Sequence, residues 1–136
     1  MNYQLSFTRQ VDYDAAQPGI TMETTLWLSK TRSTCEAKVD TGATYCIFAR
    51  RHGEALGLTI ESGIPQRIAT VQGSFTVYLH EVNLSVAGLE LAALVGFAAA
   101  ETFQRNVLGR RGFLEQVTLG LVDYEGKLYL SRYGEE

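Results

Sequence analysis

Polar and apolar residues alternate one for one over many short stretches of this chain, which is the period of a strand with one buried face. Tyr3, Leu5 and Phe7 alternate with Gln4, Ser6 and Thr8; after the turn chemistry of Asp14 to Gly19, a second strand is predicted from Ile20 to Ser29. Lys30 to Thr34 reads as a further turn. Cys35, Ala37 and Val39 then alternate with Glu36 and Lys38, so a third strand runs straight into Asp40-Thr41-Gly42. From Ala49 to Leu56 the spacing suits a short helix closed by Gly57, although Gly53 inside it lowers helix propensity. A hairpin follows, with Gln66 to Thr70 outward, Gly73 near the tip, and Phe75, Val77 and Leu79 on the return. The apolar positions then change phase to Val82, Leu84 and Val86, which predicts a bend or bulge at His80-Glu81. Ala87-Gly88 turns the chain into a buried strand within Leu89 to Ala100, a run too short to span a bilayer. A short helix is predicted from Arg110 to Gln116, and Val117 to Val122 pairs with Lys127 to Ser131 across Asp123-Tyr124-Glu125-Gly126. Trp27 is placed in the core. Many short strands with one or two short helices make a mostly β domain.

Length narrows this further. At 136 residues the chain has room for one domain, taken as 1–136. Twelve Lys plus Arg against fifteen Asp plus Glu leave a net charge of −3, without the clustered base expected of a duplex nucleic-acid binder. The start MNYQLSFTRQ lacks the basic flank and apolar run of a signal peptide, so a cytoplasmic location without membrane association is expected. In that reducing compartment Cys35 and Cys46, which lack metal-type spacing, read as buried free thiols. His52 and His80 lie far apart with no Cys cluster near them, so neither a metal nor a cofactor is expected.

With Asp12, Asp14 and Asp123 in turns or loops, Asp40 stands apart. A carboxylate at the end of a half-buried strand costs several kcal/mol if it is buried without partners, so its placement asks for a reason. A tight turn supplies one: Gly42 permits close approach and free φ, and the Thr41 hydroxyl can satisfy backbone groups beneath. Asp-x-Gly turns are common, and the tripeptide by itself is weak evidence. A second element, Asn106-Val107-Leu108-Gly109-Arg110-Arg111-Gly112-Phe113-Leu114-Glu115, raises its weight.

These pieces together, Val39-Asp40-Thr41-Gly42-Ala43-Thr44, the segment ARRHGEALGL, the hairpin Ile68 to Val77 and Val107-Leu108-Gly109, resemble the retropepsin-like aspartic proteases, whose cellular and bacterial members are closest in pattern. The resemblance implies a closed retropepsin-like β-barrel with one half-site per chain. Two copies of Asp40 would then meet across a homodimer axis. Carboxylates about 3 Å apart cannot both ionise readily, so they share a proton: the ionised one takes a proton from water while the other hydrogen-bonds the scissile carbonyl. The resemblance makes Asp40, Thr41 and Gly42 the catalytic motif, with Thr41 bonding across the axis and the Gly42 carbonyl on substrate backbone. Ala43 and Thr44 would border the cleft, and Val71, Gln72 and Gly73 would lie at the tip of a hairpin closing over an extended peptide. Many retroviral members carry an acidic residue at the position of Thr44, paired with the Arg at the position of Arg110; here that pair is missing. Two other readings stay open: a catalytically silent module of the same fold for dimerisation or peptide binding, and an unrelated ligand-binding β-barrel in which Asp40 caps a turn.

Overall fold

The structure, a computed structural model, describes residues 1–135. Two sheets form. The smaller has the order β1 (Arg9–Asp12), β10 (Lys127–Arg132), β9 (Val117–Val122), all antiparallel. The larger runs β2 (Thr21–Leu28), β3 (Thr31–Val39), β8 (Val107–Leu108), β4 (Ile47–Phe48), β7 (Leu89–Ala98), β6 (Gly73–Val86), β5 (Ile64–Thr70). Because β2 also bonds β6, through Thr24↔Val86 to Trp27↔Asn83, the larger sheet turns back on itself around the core. The chain therefore has the mostly β architecture that its alternation predicts. Leu26, Phe48, Leu84, Leu91, Phe97, Leu108, Phe113 and Leu130 are fully buried there.

The phase change in β6 has a different cause from the one predicted. No bulge interrupts it: the ladder to β7 runs unbroken from Val77↔Ala98 to Val86↔Leu89. Instead the strand serves two cores. Near the hairpin its odd positions Val77 and Leu79 pack with Ile47, Ile68, Phe75 and Phe103; further on, its even positions Val82, Leu84 and Val86 enter the main core. A straight strand with period-2 side chains can bury opposite faces at opposite ends, and β6 does so by leaving β5 for β2.

Other expectations also shift. Residues 1–7 form no strand, and Tyr3 and Leu5 are exposed, because alternation makes a strand only where a neighbour supplies hydrogen bonds; here pairing to β10 begins at Arg9. Lys30–Thr34 is not a turn: the β2–β3 hairpin turns on Ser29-Lys30 alone, Ser29 having φ +52°, and Thr31 already pairs with Leu28. Trp27 is only half-buried, since the pleat that buries Leu26 sends its neighbour outward, where Nε1 donates to Ser85 Oγ at 3.1 Å. The predicted helix at Arg110–Gln116 shrinks to a 3₁₀ turn, Leu114–Gln116. Gly112 sits at φ +99°, outside helical space, and interrupts the segment.

The helix α1 (Arg50–Ala55) does form, and Gly53 is there for packing: a Cβ on it would strike Ile60 and the Phe97 ring. The same helix carries His52, which is 5% exposed, with Nδ1 2.7 Å from Ser33 Oγ and Nε2 without a partner among the described residues. Burial, and then the neighbouring Arg51 charge, hold its pKa below the usual value. The unfolded chain therefore binds a proton that the folded chain refuses, and stability falls as pH drops from about 6.5 toward that lowered value. Glu61, held down to about 2 by Arg50, loses its contribution as pH falls from about 4.5 toward that value, below the His52 window. Melting temperature is expected to fall between about pH 7 and pH 5, and His52→Leu should flatten that slope. An unchanged slope in the variant would contradict the assignment.

Candidate active site

β8 is two residues long, yet both its edges are used. It lies parallel to β3 through Val39↔Leu108 and antiparallel to β4 through Ile47↔Val107. The chain therefore leaves β3, turns through residues 40–46 and returns on the far side of β8. Three backbone bonds fix this loop: Asp40 N–H to Leu108 O at 3.0 Å, and the amides of Arg110 and Arg111 to the Ala43 and Thr44 carbonyls, both at 2.8 Å. Gly109 is the point of closest approach. A Cβ there would lie 2.8 Å from the Ala43 carbonyl oxygen and closer still to that of Tyr45. Beneath it the buried Cys46 Sγ accepts the Gly109 N–H at 3.3 Å and donates to the Arg111 carbonyl at 3.4 Å. Burial pushes this thiol up to about 12 and that of the half-buried Cys35 up to about 11, so both are protonated thiols rather than nucleophiles.

Asp40 is half-buried at the mouth of the loop, and its Oδ1 accepts the Gly42 N–H at 2.9 Å. The carboxylate thus caps its own turn and leaves Oδ2 without a hydrogen bond among the described residues. Gly42 has a φ that is not positive, and a Cβ on it would stand 3.3 Å from Asp40 Oδ1, a tight contact that a shift of a few tenths of an ångström in the carboxylate would relieve. Thr41 does not satisfy backbone beneath the turn. It is exposed, and its hydroxyl has no partner among the described residues.

A cleft of about 570 Å³ opens beside Asp40. Of the residues expected there, Asp40, Gly42, Ala43 and Thr44 line it. Val71, Gln72 and Gly73 form the tip of the β5–β6 hairpin as expected, Gly73 at φ +133° and Val71 fully exposed, but they do not line the cleft. The hairpin contributes its stem instead, through Gln66, Ile68 and Phe75. Tyr45, Phe103 and Arg105 also line the cleft and were not singled out from the sequence. Tyr45 gave a signal in following the motif directly, and Ile68 and Phe75 share one face of a recognisable hairpin; Phe103 and Arg105 lie in irregular chain with no periodic cue. Tyr45 reaches from the loop toward the hairpin, its hydroxyl 3.5 Å from Gln66 Oε1. A larger concavity of about 790 Å³ on the other side of Tyr45, beside Arg110 and Glu115, does not include Asp40. Arg110 forms no ion pair among the described residues; it is its backbone amide that braces the loop.

The arrangement can present one ionisable carboxyl, fixed through one oxygen, to a segment laid along a groove of mixed polar and apolar lining. It holds one such carboxyl and no second one. The family model described as "Aspartyl protease" matches residues 28–121, from the end of β2 through β9. Among solved structures, the chain is similar to EIAV protease complexed with the inhibitor HBY-793, at 18% identity and a TM-score of 0.55, over 74% of this chain and 88% of that one. A comparison of the sequence with curated proteins gave no match.

Proposed function

Since the chain belongs to the aspartyl protease family, we propose that it is a homodimeric aspartic endopeptidase in which Asp40 of each copy supplies half of a two-carboxylate site. The observation that carries this reading is the Asp40 loop: a carboxylate held through Oδ1 at the edge of a groove, with Thr41 and Gly42 exposed beside it. Those two exposed residues offer the face on which a second copy would close. The paired carboxylates hold one proton between them. One polarises water for attack on a peptide carbonyl while the other donates to the carbonyl oxygen, and the proton ends on the departing amine. No covalent intermediate is required. An extended peptide would lie between the loop and the β5–β6 hairpin, whose outer strand β5 has a free edge able to bond peptide backbone. The activity needs no cofactor, and a cytoplasmic setting suits it.

If each copy supplies half the site, specific activity must depend on protein concentration. Cleavage of a fluorogenic peptide library is expected to scale with about the square of concentration below the dimer dissociation constant and linearly above it. Sedimentation should place the dimer's appearance over the same range. Linear activity from a protein that sediments as a monomer would defeat the shared-site mechanism. Peptide binding without fragments would instead support a silent module of this fold.

A further inference from the structure

One wall of the Asp40 cleft is the segment 103–107, irregular chain that leads into β8. Phe103, Arg105 and Val107 line the cleft, while the residues between them are tied elsewhere: Gln104 to Arg51 and to the Glu101 carbonyl, and Asn106 Oδ1 to the Ala49 amide at 3.0 Å. Arg105 between them is exposed and borders the cleft. Phe103 is fixed by stacking on Phe75 of the hairpin stem, with ring centroids 4.9 Å apart.

Arg105 has neither an ion pair nor a side-chain hydrogen bond among the described residues. The other guanidinium bordering the cleft, that of Arg67, is engaged across the hairpin by the Ser74 and Thr76 hydroxyls, on the strand face opposite Ile68 and Phe75. The cleft therefore holds one uncommitted cation beside an aromatic pair. A guanidinium presents a planar fork of donors that suits a carboxylate, and a peptide closing over the cleft would withdraw such a bond from open water.

We infer that Arg105 selects substrates carrying an acidic side chain two positions from a large apolar one, on the same face of the extended peptide, the acid on Arg105 and the apolar group against Phe75 and Phe103. This rests on the homodimeric protease reading above. In a symmetric dimer there are two such positions, so an acid on either side of the scissile bond would be favoured.

The test is a set of paired fluorogenic peptides, identical except for Glu or Gln at one position, assayed at about pH 6, where free Glu is ionised. Wild-type kcat/KM is expected to favour Glu over its Gln twin by about 5- to 30-fold at the preferred position. Arg105→Gln should bring that ratio close to one, and Arg105→Glu should shift the preference to a Lys-containing series. The wild-type ratio should also shrink as sodium chloride is raised, a readout that needs no variant. Cleavage of Glu and Gln peptides at equal rates, or a preference that survives Arg105→Gln, would overturn the inference while leaving the protease reading intact. Absence of cleavage across all pairs by the wild-type dimer would remove both.

Discussion

Asp40→Asn is expected to abolish peptide cleavage, lowering kcat/KM by about 10³-fold or more, while leaving the fold and the dimer in place. The structure explains why both halves of that expectation hold together. Asp40 Oδ1 accepts the Gly42 N–H at 2.9 Å, and an amide oxygen in the same position can still accept it, more weakly. The turn is kept, and Asn is nearly isosteric, so the backbone bonds from Asp40 to Leu108 and from Arg110 to Ala43 are undisturbed. What is lost is the ability to hold or release a proton. Because both copies change at once, neither the base that activates water nor the acid that meets the carbonyl remains. The measurement is steady-state cleavage from about pH 4 to pH 7, a span over which carboxylates titrate, alongside circular dichroism and sedimentation. Wild-type rates in the variant would refute the mechanism, since no other carboxylate lies in the cleft.

Gly109→Ala is expected to have the largest effect on stability, about 3 kcal/mol or more, and to cost activity with it. A methyl group at this position would overlap the carbonyls of Ala43 and Tyr45, which are backbone atoms and cannot rotate away. Those same carbonyls belong to the loop that holds Asp40, so relief means pulling the loop off β8 and breaking the 2.8 Å bonds from Arg110 and Arg111. Gly57→Ala is the proper control. Gly57 sits at φ +84° with nothing within 4 Å of a built Cβ, so the change there costs only the conformational penalty of about 1 kcal/mol. Urea denaturation of the two variants separates crowding from backbone strain; equal losses at both positions would show that the close approach at Gly109 carries little weight.

Much of the fold was legible because strands signal themselves through alternation, and it failed where a strand's neighbours mattered. Tyr3, Leu5 and Phe7 alternate as well as any segment, yet residues 1–7 stay outside the sheets, since a pattern specifies a face and not a partner. Val77, Leu79 and Val82, Leu84 looked like a broken strand because sequence reasoning assumes one core, whereas β6 borders two. Gly53 counted against a helix that forms because Phe97 and Ile60, distant in sequence, need the room.

By itself the sequence determined the periodicity that makes the chain mostly β, the turn chemistry at Asp40-Thr41-Gly42 and the recurrence of Gly109 after an apolar pair, all of which are local properties of residue type and spacing. Only the tertiary structure decided that Gly109 serves close approach to the Asp40 loop, that the hairpin stem and not its tip lines the cleft, and that Phe103 and Arg105 join Asp40 there. These depend on contacts between segments far apart in the chain, and such contacts are set by how sheets fold back and pack, which no local pattern encodes.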